Sequence, residues 1–430
     1  MNIGAPTSAA SAAPPIWQNR AAWAMVADLL AVMIAMTLPW STSLVAIFAV
    51  AWLIVAIPLF DVSSFARSLK QPACFMPIGL FALALIGTLW SVAPWGERLY
   101  AAGPAAKLLM VPLLMHHFSR SSRGLWVFVA FLASCTLLML LSWAVAVDPH
   151  LALKSEAEYG VPVKNYIDQS QSFGLCAMAL AYPIVSFSRA GKWVLTAVLA
   201  AVAASLLANM IFVVVSRTAL VAIPAMLAVF VLLHLSWQGR VVALCAAAVL
   251  AGGAWLASPR LQATTNSLFS QYKQYERIKA VSSMDLRLEF WRKSLGFFAE
   301  APLIGHGTGS TRGLFAKAAV GQEGAAAEVI GNPHNQTLNV AVQWGTAGVA
   351  VLFGMWLVHL LLFRGDDLAS WVGLLVVVQN VVSSLFYSHL FDFHEGWMYV
   401  LGVGVAGGMI SYQHNRAFID PAVCHERPLK

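Results

Sequence analysis

Apolar runs close to the length needed to cross a bilayer recur from one end of the chain to the other, with polar positions gathered between them. Lipid offers the backbone no hydrogen bonds, so such runs must be helices. They are continuously apolar, without the alternation of barrel strands. The pattern predicts an all-α integral membrane protein of about twelve transmembrane helices. These fall roughly at residues 21–39, 43–60, 74–92, 99–117, 125–146, 170–188, 193–214, 218–236, 240–258, 338–363, 368–386 and 395–412. The first pair is joined by a very short turn at Pro39 and Trp40.

Basic residues orient these segments. Arg67 with Lys70, Arg120 with Arg123, Arg189 with Lys192, Arg240, and Arg364 occupy alternate short connections. Arg20 and the C-terminal Arg416, Arg427 and Lys430 fall on the same side. Short basic loops stay in the cytoplasm, so both termini are expected there. The expected organisation is a disordered cytoplasmic tail (1–20), helices 1–9 (21–258), a long helical periplasmic loop between helices 9 and 10 (259–337), helices 10–12 (338–412) and a cytoplasmic tail (413–430). The N-terminus lacks the basic-then-apolar order of a cleaved signal.

Composition agrees. Of 430 residues, 60% are hydrophobic and 10% charged, where a soluble chain carries about a quarter charged. Cys74, Cys135, Cys176, Cys245 and Cys424 avoid the long polar loops, so neither a disulfide framework nor a cysteine metal site is expected.

The loop after helix 9 carries more bases than acids, among them Arg260, Arg287, Arg292 and Lys293 against Asp285 and Glu289. In SLFSQYKQYERIKAVSSMDLRLEFWRKSLGFFAE, Leu286, Phe290, Phe297 and Phe298 can share one helical face, with Arg287, Lys293 and Ser294 elsewhere. Loops of this length are usually functional or disordered, and its aromatic content predicts an ordered cap. PLIGHGTGS (302–310) spaces glycines for a tight turn packed back onto the membrane helices.

Five stretches carry candidate chemistry. Arg217, in FVVVSRTALVAIP, sits at the junction of two apolar runs. An arginine there either reaches to lipid headgroups or marks a functional interior. Arg287 precedes Trp291 by one helical turn; the alternative is a solvated arginine paired with Asp285 or Glu289. In GNPHNQTLNVAVQWG, Asn332 can cap a helix and Pro333 suits its first position, leaving His334 in the first turn with Asn335 and Gln336. The helix dipole there disfavours imidazolium, and a neutral imidazole can take or orient a hydroxyl proton. The plainer reading is a solvated helix end. YSHLFDFHEG gathers His389, Asp392, His394 and Glu395; Asp392 fits better as a partner to a basic residue than as a metal ligand. KNYIDQSQSFG places Lys164, Asn165 and Gln169 at another helix mouth. No close pair of outer carboxylates is evident.

Taken together, the SRT at 216–218, RLEFW at 287–291, PLIGHGTG and NPHNQTL ahead of an apolar run resemble the O-antigen ligase family, within a wider group holding O-antigen polymerases and O-oligosaccharyltransferases. The short 387–395 loop and KNYIDQSQS look more like ligases than polymerases. The resemblance implies a bacterial inner-membrane glycosyltransferase with a periplasmic active site and no cofactor. Such enzymes are inverting and metal-independent. They move O-antigen from undecaprenyl pyrophosphate to a sugar hydroxyl of lipid A–core in lipopolysaccharide biosynthesis. It places the essential histidine at His334, pyrophosphate-binding arginines at Arg217 and Arg287, and the late acidic residue at Asp392, with Lys164, Asn165, Asn335 and Trp291 in support. A polymerase or protein O-oligosaccharyltransferase would use the same donor. A lipid-linked sugar transporter would place charges near the midplane, where Lys107 is the plain mid-run charge.

Overall fold

A computed structural model describes residues 19–155, 158–267 and 283–419. Among them the chain is helical throughout, and its only strand-like pairing is an isolated bridge between Glu158 and Val161. Each predicted apolar run holds a helix. Eight helices are long and apolar enough to cross a membrane, from Arg20–Thr37 to Gln336–Leu362. A ninth candidate is the bent pair Val62–Ser68 and Pro72–Ile86, and Arg217–Leu233 and Leu368–Ser383 are shorter apolar helices.

The polar residue before an apolar run repeatedly becomes its N-cap. Asn19, Ser41, Asn165, Ser236, Asn335 and Asp367 each accept backbone N–H bonds from the turn that follows. The Phe393–Ile419 helix forms the centre of the bundle, with Tyr399, Val403 and Val405 fully buried. A Cβ at Gly404 would lie 2.8 Å from Leu114 Cβ and one at Gly408 2.6 Å from Phe118 Cβ. Glycine therefore lets the Met110–Phe118 helix approach closely, the usual device for joining helices in lipid.

The Ser283–Glu300 helix packs Phe290 and Phe297 on Phe315 of the Ser310–Ala319 helix and on Val342, with Leu286 and Trp291 at the margin. Two expectations fail here. Phe298 lies outside this cluster. Lys293 and Ser294, expected on the other face, are buried: Lys293 reaches the Ala326 carbonyl and passes over the Phe315 ring. A long aliphatic stem lets lysine bury its carbons while its ammonium finds a carbonyl.

The glycine turn packs as its spacing predicted. His306 and Gly307 N–H donate to the Val342 and Gln343 carbonyls, and Thr308 N–H to Gly87. Trp344 Nε1 donates to Thr308 Oγ1 at 2.8 Å. The receiving helix breaks at Gly345 (φ 61°, ψ −156°), a conformation essentially restricted to glycine. A Cβ there would sit 2.4 Å from the Leu303 carbonyl carbon.

Candidate functional site

His334 does not lie in a first helical turn. The helix starts at Gln336 with Asn335 as its N-cap, and His334 precedes the cap at φ 55°, the only non-glycine residue with positive φ among the described residues. Asn332, expected as the cap, instead accepts the His334 N–H at 3.0 Å and the Ser388 hydroxyl at 2.8 Å. Asparagine's ability to close a turn two residues ahead competed with capping and prevailed.

The polar run around His334 stitches two segments together. Asn335 Nδ2 donates to the Leu385 carbonyl, Gln336 N–H to Ser384, Leu390 N–H to Gln336 Oε1, and Asn339 Nδ2 to Ser388 Oγ. The 384–390 loop is thereby fixed beside the histidine. Tyr387 comes to 4.8 Å from the His334 ring, and Phe290 stacks on it at 5.9 Å. Burial, with the Arg287 charge adding to it, holds the imidazole below the ordinary histidine range. Its Nδ1 is buried and makes no hydrogen bond. The ring is thus neutral at pH 7 and pre-placed between two aromatic groups.

Arg217 opens the Arg217–His234 helix, and its Nη2 donates to Ser267 Oγ at 3.0 Å. Arg287 rises from the Ser283–Glu300 helix. Its pKa is lowered by burial and then by the nearby Arg217 charge, with Tyr166 acting in the opposite direction. Of the two alternative partners, Glu289 is taken: it holds Arg292 through two bonds at 2.8 and 2.6 Å. Arg287 has no ion pair among the described residues. Two arginines this near each other can together hold an anion.

Arg287 thus lies near both Arg217 and His334. The supporting candidates divide. Trp291 belongs to the apolar cluster under the Ser283–Glu300 helix. Asn165 caps the helix that begins at Tyr166. Lys164 and Asp392 belong to an adjoining buried cluster. Lys164 Nζ donates to the Leu38 carbonyl and bonds His394 Nδ1 at 3.2 Å, and burial lowers its pKa. Burial raises the Asp392 pKa, with the Asp168 charge adding to it. Asp392 does not pair with an arginine of the site: its Oδ1 accepts the Phe393 N–H, and its carbonyl, like that of Phe391, accepts from Lys107 Nζ.

The absence of a close carboxylate pair is also corrected. Asp168, more than two hundred residues earlier in the sequence, lies within reach of the charges of Asp392 and Glu395. They surround Lys107 and Lys164 rather than the two arginines.

Sequence reasoning did not single out Tyr387, and weighed His389 only within a candidate ligand cluster. Burial, then the charges of His394 and Arg287, lowers the His389 pKa to about 3. Both sit in the YSHLFDFHEG stretch, whose aromatic and histidine density was the available signal.

The segment that carries both arginines and the histidine bears on kinship. Residues 202–353 match the family model described as O-antigen ligase. This segment is similar to O-antigen ligases. The matched segment contains Arg217, Arg287, Trp291, His334 and Asn335, whereas Lys164, Asn165, Tyr387 and Asp392 lie outside it. No curated protein matches the chain.

Proposed function

We propose that the protein is an O-antigen ligase of the bacterial inner membrane, acting on the periplasmic face with both termini in the cytoplasm. It moves O-antigen from undecaprenyl pyrophosphate to a sugar hydroxyl of lipid A–core. The supporting observation is the Arg217–Arg287 pair beside a neutral, aromatic-clamped His334.

In this reading the donor's prenyl tail stays in the bilayer and its diphosphate lies between the two guanidinium groups. Arginine suits that task as a permanent, planar cation with paired donors. Negative charge grows on the bridging oxygen as the anomeric C–O bond breaks, and fixed positive charge aimed there lowers the barrier. The acceptor hydroxyl oxygen forms the new bond from the opposite side while its proton passes to, or is oriented by, His334. Undecaprenyl pyrophosphate leaves. A single displacement inverts the anomeric centre, and the positive charge that a divalent ion supplies elsewhere comes from side chains. The Asp168, Asp392 and Glu395 group, organised around lysines, holds the 387–395 loop in register.

Purified protein mixed with lipid-linked glycan and lipid A–core, with chelator present, should yield capped lipopolysaccharide. No product, or activity only on adding a divalent metal, rejects the proposal. A polymerase is the second reading, since the family match covers both reactions. Glycolipids from a deletion strain separate the readings: uncapped core indicates a ligase and a single capped repeat a polymerase. Sugar lost from a protein would indicate an oligosaccharyltransferase. Counterflow of lipid-linked sugar through vesicles would revive the transporter.

A further inference from the structure

At the end of the bundle opposite the arginine pair, three helix ends meet around a cavity of about 320 Å³. The Arg20–Thr37 helix begins there, and the Thr42–Ala56 and Met110–Phe118 helices end there. The far end of the first helix is Leu38, whose carbonyl accepts from Lys164 beside the transfer site. The cavity is therefore about one helix length away from that chemistry, and its volume is at the lower end of the range for small-molecule sites.

Its lining is two-sided. Trp52, Leu59, Phe60 and Leu113 form an apolar wall, and Arg20, Arg120 and His116 line it too. His116 is 7% exposed; its Nδ1 is bonded to Ser68 Oγ at 3.1 Å, and its Nε2 makes no hydrogen bond. The acids nearby are engaged or remote. Asp28 accepts from His117, Ser121 and Arg123 at 2.8, 3.0 and 3.1 Å. Asp61 approaches Arg120 only to 3.8 Å, with both side chains over 40% exposed, a pairing of little strength. Arg20 has no ion pair among the described residues.

A cavity of this kind, at the depth where apolar helices end, suits an amphipathic anion. Two guanidinium groups fit a phosphate, and the imidazole nitrogen can add a third contact. A free phosphate would leave the apolar wall bare, whereas a glycerophospholipid covers it with the first carbons of an acyl chain. Basic pockets between membrane helices commonly hold anionic headgroups in this way. We propose that this cavity binds the phosphate of an anionic phospholipid through Arg20 and Arg120, with Trp52, Leu59, Phe60 and Leu113 against its glyceryl and acyl carbons. The site is independent of the transfer reaction, so its failure and that of the ligase reading are separable.

The test uses the full chain in neutral detergent, titrated with short-chain phosphatidylglycerol, phosphatidylcholine or inorganic phosphate, and read by melting temperature and by native mass spectrometry. Phosphatidylglycerol should raise the melting temperature and remain as an adduct; the other two should do neither. Arg20→Gln with Arg120→Gln should weaken the apparent phosphatidylglycerol affinity about tenfold or more. Lys192→Gln, at a cation outside the cavity, should leave it unchanged. Leu113→Phe, which fills the cavity without altering charge, should also displace the lipid and serves if the double variant does not fold. Equal effects of phosphatidylcholine, wild-type affinity in both the double variant and Leu113→Phe, or a matching response to inorganic phosphate would each overturn the proposal.

Discussion

Arg287→Gln separates electrostatic from merely structural contributions to the site. The substitution keeps much of the side-chain length and removes one cation. Arg287 is half-buried, and Glu289 is held by Arg292, so the direct loss is its contact with the donor diphosphate. A charged hydrogen bond contributes about 1.5–3 kcal/mol. The specificity constant kcat/KM should therefore fall roughly 10- to 150-fold. A second effect follows from geometry. His334 is held below the ordinary histidine range by burial first and by the Arg287 charge second. A general base works only when deprotonated, so the acid limb of the kcat/KM profile marks the protonation of His334. Removing Arg287 lets that pKa rise, and the limb moves to higher pH, part of the way only, because burial remains. Arg217 is not among the causes of the His334 shift. Arg217→Gln should thus lower kcat/KM by a similar factor and leave the limb in place. The assay is release of undecaprenyl pyrophosphate from lipid-linked glycan in the presence of lipid A–core, between about pH 5 and 8. An Arg287→Gln profile whose limb coincides with wild type, or equal limb shifts in the two variants, would refute the assignment of His334 as the base next to Arg287.

His334→Asn keeps a residue that tolerates positive φ. It should preserve the melting temperature within about 1 kcal/mol of stability and abolish transfer; a cooperative melt at the wild-type position with residual activity near wild type counts against the histidine. Lys107→Met removes the donor to the Phe391 and Asp392 carbonyls. It should cost about 1–3 kcal/mol and lower kcat more than it raises the donor KM, because the 387–395 loop loses its anchor while the arginines stay. An unchanged kcat would reject that role. Gly345→Ala puts a Cβ 2.4 Å from the Leu303 carbonyl carbon at a φ of 61°. It should reduce the yield of folded protein and the melting temperature more than Gly313→Ala, where the added atom meets open space; equal melts would contradict the close approach.

The periodicity and polarity of the sequence made most of the scaffold readable. Long apolar runs became helices, and the small polar residues before them became caps. The glycine spacing in PLIGHGTGS announced a turn that presses on backbone. Local spacing could not assign partners across the chain. In the NPHNQ stretch the cap expected at Asn332 falls to Asn335, because Ser388, more than fifty residues away, occupies Asn332. Lys293 looked like a solvated charge until the Ala326 carbonyl came within reach. Asp168 seemed unrelated to Asp392 and Glu395 because proximity between helices leaves no trace in sequence distance. The two arginines and the histidine emerged from motif resemblance; their mutual approach is a property of the folded chain alone.

The seam between the glycine turn and the broken helix bears on any attempt to build hybrid enzymes. Residues 302–309 thread against Gln343, Trp344 and Gly345 through backbone contacts that admit no extra atom. The same helix carries His334 at its head, and the preceding segment carries Arg287. Exchanging the outer loop alone between relatives would mate a foreign turn to a native kink and misalign the cation with the base. A graft that respects the molecule would move residues 283–345 as one cassette, leaving Arg217 in the recipient to meet whatever diphosphate the newcomer brings within reach.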